Sequence, residues 1–424
     1  MHAALAALIF AITLACVVIR PWHLNEAWSA AGGALLMVLT GAITPQSAAQ
    51  AIGGEWNLFL FFLGLMLTAA VADMVGFFDW AAAMAVAAAR GSGRQLLFNV
   101  LMLGALVTIF LSNDATAIIL TPVVYSIVTR LRLRVMPYLF AVSFMANAAS
   151  MTLPISNPIN VLTGDRLRAS LEVYEAHLLA ASVCAIAITT LVLMAVFWRT
   201  TNRSFTCDWR SVAASAVTDR RSFVAVVTGL VILAGGYVVG SALLWPLGVI
   251  AMVGAGGLLI TASVLRRFSR THISAHVSPT LFVYIAGLFV IVRSIQDAGL
   301  TADLVSGAMA QVSDSASAVV TGVLSSAVLS NTVNNLPALL VLISGAQSGG
   351  VDAALRVPFL FGALAGADLG PNLTPVGALS TMLWLVIVRR RGIEVSAWDF
   401  LRLGALVAPL TLIGSTFLIV LSFR

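Results

Sequence analysis

The sequence contains little charge and no lysine. Only 9% of its 424 residues are charged, 60% are hydrophobic, and the mean hydropathy is +1.02; an ordinary soluble domain has roughly 25% charged residues. All 23 basic residues are arginine, which excludes a Walker-type phosphate loop because that loop requires a lysine. The composition predicts a membrane protein that is not an enzyme, has no ATP motor of this kind and needs no cofactor.

Other chemical signatures are also missing. The three cysteines lie far apart, which argues against a disulfide framework, and Cys16 and Cys184 lie in apolar stretches where small packing residues are expected. His272 and His276 have helical spacing but lack the glutamate of HExxH, and their basic surroundings favour a solvated loop. Neither HExxH nor GxSxG occurs, so a hydrolase is disfavoured and no resident metal is expected. The arginines behind the net charge of +6 are scattered, which argues against nucleic acid.

Apolar stretches recur from Ala3 to Leu421, and the first lacks the features of a signal peptide. The most polar break, at 199–221, separates two halves in which glycine, proline and polar residues recur at matching positions. Offsets between 218 and 223 relate Gly64 to Gly287, Gly76 to Gly299, Ser112-Asn113 to Ser330-Asn331, Asn147 to Asp368, and Pro154 to Pro375. We therefore predict two repeats, 1–198 and 222–424, joined by a cytoplasmic linker at 199–221.

Each half is predicted to contain the same series of helices. Three spans come first, at about 3–20, 28–43 and 57–72, then at 222–240, 243–263 and 280–296. After a short amphipathic piece come two apolar arms, at 95–131 in the first half and 317–346 in the second. A broken helix (136–163 and 357–388) and a last span (176–198 and 403–422) complete each half.

The tips between the apolar arms, 112–114 and 330–335, are polar but too short to form solvated loops outside a bilayer. Irregular backbone at membrane depth is tolerated only inside protein or beside a wet cavity. We therefore predict re-entrant hairpins and about ten spans in an all-α polytopic membrane protein. Fully spanning arms would instead give twelve helices, with the termini still on one face.

The arginines predict the orientation. Eighteen lie on the side opposite the termini, including Arg20 and Arg210, and four lie on the termini side. The positive-inside rule then places both termini in the periplasm of a bacterial inner membrane. The first hairpin would open inward and the second outward. Because each half has an odd number of spans, the two repeats would have inverted topology.

Four polar clusters, at 112–116, 147–160, 330–335 and 368–374, interrupt apolar sequence at related places. Broken helices that meet hairpin tips would expose half-helix ends to a polar solute. The candidate substrate-binding residues are Asn113, Asp114, Thr116, Asn147, Ser150, Thr152, Asn331, Asn334, Asn335, Asp368, Asn372 and Thr374.

Asp114 and Asp368 are the candidates for proton coupling, because an ionisable group inside a membrane is expensive to bury. The alternative is that each aspartate caps the start of a half-helix. The asparagines of the tips could likewise cap, line a site, or do both. Asp73, Glu55 and Arg293 lie near predicted helix ends, where an interfacial or ion-pair role is expected.

These clusters resemble bacterial arsenite efflux permeases, the arsenical pump membrane protein (ArsB) family of the ion transporter superfamily. The resemblance rests on Ser112-Asn113-Asp114 with Ile119-Leu120-Thr121-Pro122, on Asn334-Asn335-Leu336-Pro337, and on Leu369-Gly370-Pro371-Asn372-Leu373-Thr374-Pro375-Val376-Gly377 with Leu383-Trp384. It covers nearly the whole chain. The sequence departs from the family at Ala115-Thr116, where Gly-Ala is common, and at Ala378, where Ser is usual.

The resemblance implies export of arsenite or antimonite, driven by proton influx or assisted by a separate cytosolic ATPase. A mainly uncharged trihydroxide suits clusters of Asn, Ser and Thr, whereas a dicarboxylate would favour cations, which the four clusters lack. A sodium site built from Asp114 and amide oxygens stays chemically reasonable, so a sodium/proton antiporter or another anion carrier of the superfamily is the alternative. A passive channel and capture of arsenic by cysteine thiolates are further alternatives.

Overall fold

The computed structural model describes residues 2–19, 21, 25–206, 217, 219–348 and 351–424. These residues form helices, and the one β-bridge found among them joins Ser92 to Ser204. The predictions for Arg20, Cys207 and Arg210 lie outside the described residues.

Eleven α-helices lie in the described part of the first half. They are α1 (His2–Ile19), α2 (Glu26–Leu39), α3 (Pro45–Gly53), α4 (Trp56–Met74), α5 (Phe77–Ala88), α6 (Gly93–Phe110), α7 (Asn113–Ala115), α8 (Thr121–Arg130), α9 (Met136–Ala148), α10 (Pro158–Leu167) and α11 (Leu171–Phe197). A π-helical turn, Thr116–Leu120, joins α7 to α8, and a 3-10 turn, Pro154–Ser156, lies between α9 and α10.

Ten more lie among the described residues of the second half. They are α12 (Arg220–Ala242), α13 (Leu247–Val264), α14 (Arg270–His276), α15 (Pro279–Asp297), α16 (Leu300–Met309), α17 (Ser315–Val333), α18 (Asn335–Gln347), α19 (Ala353–Leu369), α20 (Leu379–Arg390) and α21 (Ala397–Ser422). A 3-10 turn, Gly370–Asn372, interrupts the chain between α19 and α20. The short helices α3 and α14 were not expected from the sequence.

The surface and the interior have the polarity of a membrane protein. Among the described residues, nine helices are long and apolar enough to cross a membrane, and α1, α2 and α9 are shorter apolar helices. Leu191, Val253 and Ile413 are each about 70% exposed, whereas Asn147 and Asp368 are each 1% exposed. Lipid requires apolar surface and internally satisfied polar groups. The prediction of an all-α polytopic membrane protein is confirmed.

Glycines at matching positions in the two halves have the same structural roles. A Cβ on Gly64 would lie 2.5 Å from the Cβ of Ala251, and one on Gly287 would lie 2.7 Å from the backbone carbon of Ala30. Small residues therefore let α4 approach α13, and α15 approach α2, closely. Gly76 precedes α5 with a φ of 79° and Gly299 precedes α16 with a φ of 81°, a backbone conformation that glycine adopts without steric cost.

The helices pack in two groups. In the first group α4 packs on α13, α2 on α15, α12 on α13 and α1 on α2. In the second group α6 packs on α9, α17 on α19 and α11 on α21. Each group draws helices from both halves of the sequence, so the two halves cannot form separate domains. We call the first the outer group and the second the inner group.

The central linker is partly described. Its first residues lie beside the start of α6, where the Gly93 amide donates to the Arg203 carbonyl at 2.8 Å and the Phe205 amide donates to the Gly91 carbonyl at 2.9 Å. At its far end α12 begins at Arg220, two residues before the predicted start. The linker thus begins with backbone hydrogen bonds to the residues that lead into the first predicted hairpin.

Candidate functional site

The first hairpin tip turns over two residues, because α6 ends at Phe110 and α7 begins at Asn113. Ser112 has a φ of 154° and a ψ of 164°, and its hydroxyl accepts a hydrogen bond from the Ala115 amide at 3.1 Å. The alternative that Asp114 caps this helix is wrong, because Ser112 does so. The carboxyl of Asp114 lies in the first turn of the helix, where the dipole favours negative charge.

The second tip is shorter than predicted, since α17 continues to Val333 and α18 begins at Asn335. Asn334 alone makes the turn, with a φ of 81° and a ψ of 154°. Its Oδ1 accepts from the Leu336 amide at 3.5 Å and its Nδ2 donates to the Val376 carbonyl at 3.2 Å. Ser330 and Asn331 therefore lie in a helix. The counterpart of Ser112 is Asn334, 222 positions on (112 and 334), and that of Asn113 is Asn335.

Both tips border one small cavity. It has a volume of about 20 Å³, enough for about one water molecule. Its polar lining is Asn113, Asp114, Asn157, Tyr284, Asn334, Asn335 and Ser380. Four of the predicted site residues, the two at each tip, are thus brought together from opposite halves of the chain.

Asp114 also borders two further cavities, of about 80 and 40 Å³. Both extend to His276, and the larger one passes Glu26 and Tyr284. Asp114 therefore lies where the space between the tips meets the space that leads towards α14. Within the described residues, no arginine lines any of these three cavities.

Two neighbouring residues that line the cavity between the tips, Asn113 and Asp114, carry hydrogen-bond acceptors. The Oδ1 of Asn113 is buried and has no hydrogen-bond partner among the described residues, and a buried acceptor without a donor costs about 1–3 kcal/mol. The Asp114 carboxyl lies next to it in the chain. A neutral solute carrying hydroxyl groups would satisfy this oxygen by donating to it.

Asp368 lies behind the cavity. Its Oδ1 accepts from the Ser150 hydroxyl at 2.6 Å and from the Asn157 amide at 2.7 Å. Since it lies in the last turn of α19, it does not cap a helix start as the alternative supposed. Its Oδ2 is buried without a partner in the described part of the chain. Asn157 connects Asp368 to the cavity, because it also lines that space.

A second network joins the two broken helices. The Asn147 amide donates to Asn372 Oδ1 and to Thr381 Oγ1, both at 3.1 Å, and its Oδ1 accepts from the Ser380 hydroxyl at 3.1 Å. Buried polar groups that are fully paired in this way fix one arrangement of the helices. Asn147 and Asn372 thus contact each other. Ser380, which donates to Asn147, also lines the cavity between the tips.

The remaining predicted residues make contacts away from the cavity. Asn331 donates to the Gly370 carbonyl at 2.8 Å and accepts from the Thr374 hydroxyl at 2.7 Å, which attaches α17 to the second break. The hydroxyl of Thr116 lies 2.8 Å from that of Thr108. Thr152 lies 2.6 Å from Ser182 Oγ.

The sequence prediction omitted Asn157, Ser380 and Tyr284 from the site. Asn157 precedes a proline inside a cluster that was singled out, so its pattern could have identified it. Ser380 follows the break by a few residues. Tyr284 lies on an apolar span, and nothing in the sequence around it indicated that it borders a cavity.

Glu55 and Arg293, which lie near helix ends, have ion partners as predicted, and Asp73 lies against two histidines. Arg166 pairs with Glu55, and Arg293 Nε lies 2.8 Å from Asp297 Oδ1. Asp73 Oδ2 lies 3.1 Å from His272 Nε2 and 3.2 Å from His276 Nε2. The prediction of a solvated loop for these two histidines is wrong, because α14 packs on α4.

Comparison with known proteins identifies the family. The profile of the family described as arsenical pump membrane protein matches residues 5–421. The chain is 30% identical over 412 residues to the arsenical pump membrane protein of Yersinia enterocolitica and 29% identical to that of Escherichia coli K12, and covers 95% of each chain in both comparisons. Its fold is similar to that of the Alcanivorax borkumensis YdaH transporter, with a TM-score of 0.55, 15% identity, and coverage of 91% of this chain and 87% of that one. The chain belongs to the arsenical pump membrane protein family.

Proposed function

We propose that this protein is a secondary active transporter that exports arsenite or antimonite, as the neutral trihydroxide, from the cytoplasm across the bacterial inner membrane. The family membership and the names of the relatives support the substrate class. A cytosolic arsenical pump ATPase is a possible partner, since this sequence has no lysine for a phosphate loop of its own.

The observation that carries the proposal is the chemistry of the tip cavity. Asparagine, serine, tyrosine and one carboxyl line it, and the described residues place no arginine there. A trihydroxide donates three hydrogen bonds, and the unpartnered Oδ1 of Asn113 and the carboxyl of Asp114 accept them. An anion would meet a carboxylate without a compensating cation, which disfavours it.

Asp114 is proposed as the proton carrier. It borders all three cavities, whereas Asp368 is enclosed by Ser150 and Asn157. In the proposed cycle the tips separate to admit the trihydroxide, because the cavity between them has room for only about one water molecule in this structure. The trihydroxide leaves outward when Asp114 takes up a proton from the periplasm. Release of that proton to the cytoplasm restores the carboxylate. Asp368 would respond through Asn157, which contacts both the carboxyl and the cavity.

Alternating access would involve the two groups of helices. We propose that the tips belong to re-entrant hairpins of two repeats with inverted topology, one opening inward and one outward. The matching glycines and the 222-position spacing of the tip residues support this. Movement of the inner group relative to the outer group would then expose the tip cavity to each face in turn.

Everted membrane vesicles test the transport. We expect uphill accumulation of radiolabelled arsenite when a proton gradient is imposed without ATP, and its loss when an uncoupler is added. Accumulation only with an added ATPase subunit would assign the energy source to that partner. Arsenite movement that never exceeds equilibrium would indicate a passive channel instead.

The variant Asp114→Asn tests the proton carrier. We expect it to lose uphill transport at least tenfold, because the amide cannot exchange a proton. The matched control is Asp303→Asn on the exposed face of α16, which should transport normally. Full proton-dependent transport by Asp114→Asn would refute the assignment.

Sodium/proton exchange is the alternative function, because Asp114 and amide oxygens of the tip cavity form a set of oxygen ligands suited to a hard cation. The same vesicles, with sodium in place of arsenite, distinguish the two functions. Sodium-dependent proton flux without arsenite movement would establish the antiporter.

A further inference from the structure

Two histidines and an aspartate converge at the end of α4, outside the tip cavity. Asp73 lies in the last turn of α4, and His272 and His276 lie one turn apart on α14. Their ligand atoms all lie within 4.8 Å of one another. The side chains of Asp73, His272 and His276 are 23%, 32% and 16% exposed, so water reaches the cluster although protein covers most of it.

The positions of the ring protons indicate that the cluster lacks a positive charge. His276 Nδ1 lies 2.9 Å from the His272 carbonyl oxygen, which only accepts, so Nδ1 carries a proton. In the neutral ring Nε2 then presents a lone pair to Asp73 Oδ2, 3.2 Å away. His272 Nε2 is buried and makes no hydrogen bond of acceptable geometry among the described residues. Acceptors that face one another require a positive charge between them.

The spacing suits a metal ion. Zinc binds imidazole nitrogen and carboxylate oxygen at about 2.0–2.2 Å, so tetrahedral ligand atoms lie roughly 3.3 Å apart. The two nitrogen to oxygen distances, 3.1 and 3.2 Å, are close to this value. The carbonyl contact to His276 Nδ1 fixes the ring and leaves Nε2 free to coordinate, as in known histidine sites.

We propose that Asp73, His272 and His276 form a binding site for zinc or a similar borderline divalent metal ion, with one coordination position left for water. This site is distinct from the tip cavity. His276 also lines both cavities that lead to Asp114. A bound ion would fasten α14 to α4 beside these cavities.

Metal binding is measured on the purified full-length protein after complete removal of any polyhistidine tag. Zinc is titrated by calorimetry, and cobalt(II) serves as a spectroscopic probe of tetrahedral coordination. We expect one ion per chain. His276→Ala and Asp73→Asn should each weaken binding at least tenfold. The matched control is His177→Ala, because that ring stacks on Phe423 and contacts Ser422 instead.

Thermal unfolding guards against misfolded variants. Zinc should raise the unfolding midpoint of the unmodified protein and of His177→Ala, and should not raise that of His276→Ala. The proposal is overturned if the unmodified protein binds no stoichiometric zinc, in which case a protonated histidine pairs with Asp73. It is also overturned if binding persists in both His276→Ala and Asp73→Asn. Neither measurement uses arsenite, so the result stands apart from the proposed function.

Discussion

Two residues hold the tips in a backbone conformation that side chains rarely adopt. Ser112 and Asn334 both combine a positive φ with an extended ψ, a region populated almost only by glycine. Each remains there because its side chain bonds a nearby amide, that of Ala115 or Leu336. Such strain costs about 1–3 kcal/mol per residue, and here it occurs next to the cavity between the tips.

Substitutions at Ser112 separate the strain from the cap. Ser112→Ala and Ser112→Gly both remove the hydroxyl that accepts from Ala115, but only glycine relieves the positive φ. We expect Ser112→Gly to unfold at a higher temperature than Ser112→Ala in detergent. Equal midpoints would show that the tip is unstrained. For arsenite transport, a comparison of Ser112→Ala with the unmodified protein shows the effect of losing the cap. A comparison of the two variants shows the effect of the strain.

At the scale of elements, α17 and α19 pack backbone to backbone. A Cβ on Gly322 would lie 2.2 Å from the Phe359 carbonyl oxygen, and Cβ atoms on Gly362 and Gly366 would lie 2.3 Å from the carbonyl oxygens of Val319 and Val323. Helices in lipid associate through such small-residue contacts because no hydrophobic force brings them together. The position of the second tip depends on this contact, since α17 leads directly into Asn334.

Gly366→Ala should separate these helices. The added methyl meets a backbone oxygen that cannot move aside, and overpacking of this kind costs about 1–3 kcal/mol. We expect a lower unfolding midpoint and reduced arsenite transport. Gly257→Ala on α13 is the control, because its Cβ meets nothing within 4 Å. A Gly366→Ala protein as stable as the control would contradict close packing of α17 on α19.

For the whole molecule, transport would have to change the contacts between the two groups of helices. One such link is α10, which contacts α19 of the inner group and α4 of the outer group. Asn57 on α4 donates to Asp165 Oδ2 on α10 at 2.6 Å and accepts from the Gly248 amide at 2.8 Å. Beside it Glu55 pairs with Arg166. These polar contacts attach α10 to the outer group at one end of the molecule.

Linking Asn57 to Asp165 tests movement of the groups. Cysteines at both positions, in a protein whose Cys16, Cys184 and Cys207 are alanine, would be joined by a short reducible thiol reagent. We expect arsenite transport to stop on linking and to return on reduction, while each single-cysteine control stays active. Continued transport by the linked protein would exclude relative movement at this contact.

The protein without its three cysteines also tests whether thiolates bind the metalloid. Cys16 and Cys184 lie outside the polar networks, partly buried as free thiols, so transport should persist without them. Loss of arsenite transport on removal of the three cysteines would favour thiolate capture of the metalloid.

The orientation of the whole chain is testable with reporter fusions. The arginine distribution predicts that both termini are periplasmic. Alkaline phosphatase fused after Arg424 should therefore be active, and β-galactosidase at the same position should be inactive. Fusions within the linker after Arg203 should give the opposite result. An inactive phosphatase at Arg424 would reverse the predicted topology and with it the side to which each hairpin opens.

The sequence by itself determined the class of the molecule and the order of its elements. Long apolar runs leave only helices able to satisfy the backbone in lipid, so the spans fall within a few residues of their predicted bounds. The polar tips at Asn113 and Asn334 were visible for the same reason, because polar residues are rare in apolar sequence.

Tertiary structure alone decided which polar groups meet. Asp114 and Asp368 looked alike in sequence, yet one borders three cavities and the other is enclosed by Ser150 and Asn157. The contact of His272 and His276 with Asp73 was equally hidden. Such contacts join residues about 200 positions apart, and local periodicity carries no information about which distant helices pack together.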